Sequence, residues 1–393
     1  MSLGKRFIIP LFGIFIGCVL PIEIDLNIGK KFVIEARLTN DKENNAVKLS
    51  YTSSIYESSV KVSEAMVRVI NNTDTIYYTE EKKGVYKPPE DFRGIPGHRY
   101  RLEVKIDDKL YRSTEEELKA PVDIERIHGR ITEAVDPAIN RVVKGFQFFI
   151  DTYRNRERQD FFYYEWEGTH NIIVPLPATH HVVNSQIVPI DHATSPCYST
   201  TYSNSIELAS TVGITGESLR DVPIRFLSEG NYQLANAYSL KVTQFRIDRD
   251  AYQFLKNQKK NNESGGSLND IQLGNIPGNV FSDDGESAIG YFLVAGVSEK
   301  RRMFKRRNGD FGLLKAPKFP FDCGPHYDCN QEGCSDTLLT DPTKAIEIIN
   351  FYGGGYLIYS YDPYGFPASA WIHTLSCTDC SWYASTVQPD FWE

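Results

Sequence analysis

Seven cysteines are the residues of this chain whose type and spacing could do chemistry. Cys377 and Cys380 form a CxxC motif, a spacing that redox proteins use with the first thiol at a helix N-terminus, where the helix dipole lowers the thiol pKa. The segment that follows, SWYASTVQPDFWE, has no amphipathic helical pattern. The motif therefore favours a structural clasp for the C-terminal tail over a thiol oxidoreductase.

A second cysteine cluster, DCGPHYDCNQEGC at 322–334, could offer three thiolates and His326 to zinc. Its intervals do not match a paired C-x2-C zinc site, and an oxidising compartment favours disulfides over thiolate ligands. An even number of cysteines in an exported chain predicts disulfides, and the sequence does not choose among the possible pairings. The disulfide candidates are Cys197, Cys323, Cys329, Cys334, Cys377 and Cys380.

Histidines form the other conspicuous group, with His180 and His181 adjacent and His170 and His192 nearby. Adjacent residues on a strand point to opposite faces, and no carboxylate follows at a metalloprotease spacing. The chain also lacks a GxSxG nucleophile elbow and a phosphate-binding glycine loop. The sequence therefore predicts no catalytic residues, no metal site and no cofactor.

The remaining cysteine, Cys18, ends an apolar run at 7–17 that follows Lys5 and Arg6. The run is too short to span a membrane, which takes about 20 apolar residues, but it suits a secretory signal. The segment FIGC at 15–18 resembles a bacterial lipobox, in which cleavage exposes a cysteine whose thiol carries lipid. An ordinary signal peptide or a buried strand is the alternative. We expect lipidation at Cys18, which anchors a protein to a bilayer without spanning it.

Composition restricts the class of protein and its partners. The net charge is −8, which opposes nucleic-acid binding because that binding needs Lys and Arg to neutralise phosphates. Apolar residues make up 41% and charged residues 24%, as in ordinary globular proteins. The 23 tyrosines and 22 phenylalanines favour β-structure, because aromatic side chains suit pleated, half-buried surfaces.

Alternating apolar residues divide the chain into a signal peptide at 1–17, a tether at 18–30, a β-sandwich at 31–120 and a β-rich domain at 121–393 with a cysteine-rich tail. Val67 and Val69, then an NNTD turn, then Ile76 and Tyr78 predict a hairpin. The segment 99–113 predicts a second hairpin around a turn of two aspartates. Pro121 marks the boundary because proline cannot continue a β-ladder.

The second part holds aromatic strands and one well-marked helix at 248–262. Asp248 can cap this helix, and Ala251, Phe254 and Leu255 form its apolar stripe. The segment 287–307 predicts a strand pair that ends in a basic run, KRRMFKRR, typical of a solvated loop or edge. From residue 308 onward, Gly, Pro and Cys predict irregular structure held by disulfides.

The segment GVYKP…GIPGHRYRLEV resembles transthyretin-like or carboxypeptidase-regulatory-like modules, which commonly act as spacers or docking units. We therefore expect the N-terminal β-sandwich to be immunoglobulin- or transthyretin-like. The expected fold is therefore mainly β, an N-terminal β-sandwich followed by a larger β-rich domain with one or two short helices.

The order of several segments resembles the Bacteroidota outer-membrane lipoproteins of domain of unknown function 4249. The segments are CVLPIEIDL, FVIEARLTN, QFFIDTYRNRERQDFFYYEWEGTHNI, SPCYST, DVPIRFLS, DRDAYQFLKN, GNIPGNVFS, AIGYFLVAGVSEKR and CTDCSWYASTVQPDFW. This resemblance implies a surface lipoprotein that accompanies a TonB-dependent outer-membrane receptor in nutrient or ligand uptake. It implies no catalytic residues and names no ligand.

The expected partners are the membrane, through the lipid anchor at Cys18, and such a receptor. The expected location is the outer membrane, at the cell surface or on the periplasmic face, because no aspartate follows Cys18 as a retention signal. One alternative is a structural or adhesive surface protein without a transport role. The other is an enzyme that uses the CxxC thiols or a histidine metal site.

Overall fold

The computed structural model describes residues 31–52, 59–136, 140–153, 159–216, 218–263, 276–285, 287–323, 336–339, 341–353 and 355–392. The strands are β1 (Phe32–Thr39), β2 (Ala46–Tyr51), β3 (Val60–Lys61), β4 (Met66–Ile70), β5 (Thr75–Lys82), β6 (Val85–Lys87), β7 (Arg99–Ile106), β8 (Lys109–Ser113), β9 (Glu116–Glu117), β10 (Ile124–Asp136), β11 (Arg141–Tyr153), β12 (Phe161–Ile172), β13 (His180–Val183), β14 (Gln186–Pro189), β15 (Cys197–Tyr202), β16 (Glu207–Ser210), β17 (Ser218–Ser228), β18 (Ala237–Ile247), β19 (Val280–Ser282), β20 (Ile289–Lys305), β21 (Asp336–Leu339), β22 (Tyr356–Asp362) and β23 (Ser369–Thr374). The helices are α1 (Arg249–Glu263), α2 (Pro342–Phe351) and α3 (Leu375–Thr378), with 3₁₀ helices at Tyr232–Leu234 and Arg306–Asn308.

The fold is mainly β, as the sequence predicts. The longest sheet has the strand order β15-β12-β18-β20-β1-β2-β6-β5-β4-β7-β8-β19, and β3, β9 and β16 pair with β2, β7 and β12. A three-stranded sheet has the order β10-β11-β17, and a five-stranded sheet has the order β14-β13-β22-β23-β21. Among the described residues, no helix is both long and apolar enough to cross a bilayer.

The first hydrophobic core lies inside the N-terminal strands, where the long sheet packs against itself. The predicted hairpins are confirmed: Val67 is paired with Tyr78 across β4 and β5, and β7 returns through a turn into β8. The ring of Phe32 on β1 lies 4.8 Å from that of Tyr111 on β8, which brings the two halves of the sheet together. This packing is sandwich-like.

Residues from beyond position 280 complete the first core. Val280 and Phe292 are fully buried within it, and β1 runs parallel to the first half of β20. The division of the chain at residue 120 stays a prediction, but the N-terminal sandwich does not consist of residues 31–120 alone.

Strand β20 corrects the expected strand pair at 287–307, because this segment is one strand of 17 residues. Its first half pairs with β1, and its second half pairs antiparallel with β18. Phe292 lies in the first core, while Phe304 lies in a second core, where β10, β11 and β17 cover β12 and β18. One continuous strand therefore contributes to both cores.

Helix α1 forms where the sequence predicts a helix. Asp248 caps it, because its Oδ1 accepts a hydrogen bond of 2.6 Å from the main-chain N–H of Ala251. Ala251 is buried and Leu255 is partly buried against a third core that includes Phe245 and Leu293. The apolar stripe thus holds α1 against β18 and β20.

The segment beyond residue 308 is more regular than its composition predicts. Strands β22 and β23 form an antiparallel pair that β13 and β21 extend, and α2 packs against them through Ala345 and Ile349. Asp341 caps α2 and Pro342 occupies its first turn. The expectation of irregular structure is therefore wrong for residues 342–351, 356–362 and 369–374.

The connection at 119–122 crosses directly over β20. A Cβ built on Gly296 would lie 2.2 Å from the carbonyl oxygen of Lys119, so only glycine fits beneath the crossing. Arg246 donates to the carbonyl oxygen of Ala120 at 2.9 Å, and Gln244 donates to that of Val122 at 2.6 Å. These contacts fix the connection on the sheet.

We predict that Gly296→Ala lowers the free energy of unfolding by about 1–3 kcal/mol, because the new methyl group overlaps main chain that Arg246 and Gln244 hold in place. Gly230→Ala is the matched control, since a Cβ at Gly230 meets nothing within 4 Å, and it should change stability by no more than about 0.5 kcal/mol. Chemical denaturation of both variants is the measurement. Equal values for the two would contradict the close crossing.

Candidate functional site

Helix α1 contributes residues to two cavities of about 700 Å³ and about 570 Å³. Phe254 on α1 and Tyr291 on β20 line both of them, with ring centroids 4.9 Å apart. This pair of rings therefore separates two spaces of different chemistry.

The larger cavity, the acidic cleft, is lined by the carboxylates of Glu115, Glu116, Glu117, Asp248 and Asp250. Arg99 and Lys119 are the cations of its lining. Carboxylates outnumber cations here, so the cleft favours positively charged or hydrogen-bond-donating groups.

Glu116 is the group in this cleft whose protonation is most perturbed. Its Oε1 accepts hydrogen bonds from Thr114 at 2.6 Å and Asn279 at 2.9 Å. Burial raises the pKa of Glu116 to about 7, and the adjoining Asp248 carboxylate adds to this shift. Glu116 can therefore take up or release a proton near neutral pH.

The smaller cavity continues into a third cavity of about 440 Å³, because Glu43, Asn44, Tyr163 and Glu165 line both. We call this continuous surface the ion-pair groove. Three ion pairs lie along it: Arg37–Glu165 at 2.5 Å, Lys241–Glu299 at 2.8 Å and Arg301–Glu167 at 2.7 Å.

The central pair of the groove shows how these charges are held. Burial alone would raise the pKa of Glu165, but hydrogen bonding and charge from Arg37 outweigh it and lower that pKa. Tyr163 also donates to Glu165 at 2.9 Å. The six charges of these pairs offset one another, Glu35 and Lys48 form a longer pair at 4.0 Å, and Glu43 adds one further negative charge to the lining. Such a surface offers fixed charged and hydrogen-bonding groups to a ligand.

One group that sequence analysis missed contains His128, Asp151 and Asp221, whose ligand-type atoms all lie within 4.8 Å of one another. Burial alone would raise the pKa of Asp151, but the main-chain N–H of Asp221, together with Arg126 and His128, holds it at about 2. The three residues come from β10, β11 and β17, so no sequence spacing could reveal them.

This group fits an ion-pair cluster better than a metal site. Asp151 accepts from Arg126 at 2.6 Å and from Arg220 at 3.0 Å, and Arg130 donates to Asp221 at 2.8 Å. Three guanidinium groups already supply the positive charge that a cation would bring, and a metal ion would lie beside them.

The structure places four of the six candidate cysteines in two bridges, Cys197–Cys380 and Cys323–Cys377. Cys377 and Cys380 are fully buried and are bonded to different partners, so the CxxC motif holds the tail at two points, as a structural clasp would. Cys18, Cys329 and Cys334 lie outside the described residues.

The four histidines singled out in the sequence have separate surroundings. Burial lowers the pKa of His170 to about 4, while the His180 ring packs on Tyr361 at 5.0 Å and His181 is paired with Val188. His192 lies 3.3 Å from Asp191 and 3.6 Å from Asp379. Each of these histidines therefore has its own set of contacts, and the structure does not bring the four together.

A family model described as Domain of unknown function (DUF4249) matches residues 19–301. The chain belongs to this family. The matched DUF4249 region contains α1, the acidic cleft and the ion-pair groove, and it ends within β20. Neither the curated proteins nor the solved structures gave a match to this DUF4249 chain.

In this DUF4249 protein we predict that Glu116→Gln is stabilising at alkaline pH. The folded state binds the Glu116 proton more tightly than the unfolded chain does, so this contribution is present at acidic pH and is lost as the pH rises through about 7. The variant should gain on the order of 1 kcal/mol over the native protein at pH 8 and little at pH 4.

Chemical denaturation at the two pH values measures this difference. Glu117→Gln is the matched control, since it removes one negative charge from an exposed neighbour on the same strand. A stability difference between Glu116→Gln and the native protein that does not change with pH would contradict the raised pKa of Glu116.

The clasp gives a second prediction for the DUF4249 chain. Cys380→Ser removes a bridge that spans 183 residues and should lower the free energy of unfolding by about 2–5 kcal/mol. Thermal melting is the measurement, with the exposed neighbour Ser381→Ala as control. An unchanged melting temperature in Cys380→Ser, or a peptide map that joins Cys377 to Cys380, would contradict the pairing.

Proposed function

We propose that this DUF4249 protein is a non-enzymatic outer-membrane lipoprotein that is anchored through Cys18 and assists a TonB-dependent receptor in nutrient or ligand uptake. The buried Cys197–Cys380 bridge is the observation that carries the proposal, because such bridges persist in oxidising compartments outside the cytosol. The apolar run at 7–17 before Cys18 supports the same destination.

The cavities support a binding role. The ion-pair groove runs over neighbouring strands of the long sheet, from β12 through β18, β20 and β1 to β2, and its paired charges hold hydrogen-bonding groups in place there. In this proposal the N-terminal sandwich acts as a stalk or docking module, and the larger β-rich part binds ligand or receptor. The chain would remain at the outer membrane, at the cell surface or on the periplasmic face.

We predict that Cys18→Ala moves the protein out of the membrane fraction, because the substitution removes the thiol that would carry lipid. Mass spectrometry of the native product should find acyl chains on an N-terminal Cys18. Cys334→Ser is a matched control that removes a cysteine outside the signal segment and should stay in the membrane fraction. An unmodified N-terminus, with Cys18→Ala still in the membrane, would refute the anchor.

Native membranes that contain the protein also test whether it associates with a TonB-dependent receptor. Purification of the tagged native protein in mild detergent should recover a TonB-dependent receptor, and loss of the lipoprotein should slow growth on one nutrient. Repeated failure to recover a receptor, combined with an attachment defect and normal growth, would favour a structural or adhesive protein instead.

A further inference from the structure

A fourth cavity, of about 510 Å³, lies where the end of β12, the start of β18 and the 3₁₀ helix Arg306–Asn308 meet. Its polar lining residues are Asn171, Asn236, Lys305, Arg306 and Arg307. We call it the cationic cavity. It lies away from both the acidic cleft and the ion-pair groove, and it shares no lining residue with either.

The charge of this cavity is opposite to that of the protein. Three consecutive cations line it and no carboxylate does, although the chain carries a net charge of −8. Asp310, which lies near, accepts from the main-chain N–H of Lys305 and pairs with Arg302 at 3.4 Å. Its charge is therefore already shared with a cation outside the cavity.

Arg306 is held by neutral groups. Its Nη1 donates to the carbonyl oxygen of Leu314 at 2.7 Å, and its Nε and Nη2 donate to that of Leu234 at 3.0 Å and 2.8 Å. Within the described ranges no carboxylate pairs with it, and burial lowers the pKa of Arg306, as expected for a cation without an anion beside it. The guanidinium is thus fixed by carbonyl oxygens, including that of Lys315 at 3.5 Å from Nη2, and among the described residues no carboxylate neutralises its charge.

The cavity lining also includes apolar side chains, of which Trp392 and Ile173 are the largest. Trp392 is nine-tenths buried and its ring packs on Tyr198 at 5.0 Å, so the indole is held in place. Ile173 lines the cavity and is 46% exposed, as expected of a side chain at its rim. Asn171 Oδ1 accepts from the main-chain N–H of Ala237 at 3.2 Å, which leaves its amide nitrogen as a donor in the lining.

We propose that the cationic cavity binds a small organic anion. A carboxylate of the ligand would contact Arg306 and Arg307, and a flat apolar body would lie between Trp392 and Ile173. Ligand sites commonly join apolar walls to a few fixed polar groups in this way. The inference concerns a binding site, and it stands whether or not the protein accompanies a receptor.

Titration calorimetry of the full mature chain with 1-naphthoate tests the proposal. We expect saturable binding of one molecule, at least about tenfold tighter than that of the neutral 1-naphthalenemethanol, because only the acid engages the cations. Inorganic phosphate, which lacks the apolar body, should also bind less tightly than naphthoate. Absence of naphthoate binding, or equal binding of the neutral analogue, would overturn the proposal.

Two substitutions at the rim locate the site and separate charge from apolar contact. Ile173→Asp should weaken naphthoate binding roughly tenfold and Ile173→Lys should tighten it, although both remove the same apolar side chain. Arg307→Glu should weaken binding as Ile173→Asp does, while Arg93→Glu, an exposed arginine outside the cavity, is the matched control. Equal affinity in Ile173→Asp and Ile173→Lys, or an equal effect of Arg93→Glu and Arg307→Glu, would place the anion elsewhere.

Discussion

Strand β20 hydrogen-bonds to β1 along its first half and to β18 along its second, and it changes partner at Ala295 and Gly296. Phe292 from this strand packs in the first core, and Phe304 from the same strand packs in the second core. The N-terminal strands therefore complete their core with a segment that lies far along the chain. Closing the long intervening loop costs conformational entropy, which the contacts offset only once they form. The crossing at 119–122 then rests on β20, so the two parts of the protein are joined by shared structure more than by a linker.

Local patterns in the sequence were enough for the hairpins and for α1, because the turn residues, the Asp248 cap and the apolar stripe lie close together in the chain. The partner of β1 was not predictable, since alternation along a strand marks its buried face and says nothing about which distant strand lies beside it. Helix α2 does carry a local signal, Asp341 followed by Pro342, but it lies in a segment whose glycine, cysteine and aromatic residues favour irregular structure.

The same distinction applies to the sites. Six cysteines predict disulfides but not their pairing. The bonds join Cys380 to Cys197 and Cys377 to Cys323, so the two cysteines of the CxxC motif have partners 183 and 54 residues away in the chain. The Glu116–Asp248 pair likewise joins strand β9 to the cap of α1, and the His128 cluster joins β10, β11 and β17. The basic run at 300–307, predicted to be a solvated loop or edge, forms the last part of β20 and the turn after it, where β18 is the strand paired with β20 and Lys300, Arg302 and Arg307 are exposed. Several of its side chains also donate to carbonyl oxygens and carboxylates of distant residues, which the sequence did not predict.

The place of β1 in the long sheet has a mechanical consequence. Any pull on the chain ahead of Phe32 enters the fold along β1, which is flanked by β20 on one side and by β2 on the other. Inter-strand hydrogen bonds lie across the strand direction, so such tension loads both ladders in shear and many bonds must rupture together. A force applied to the chain ahead of Phe32 would thus meet high resistance before the fold unravels.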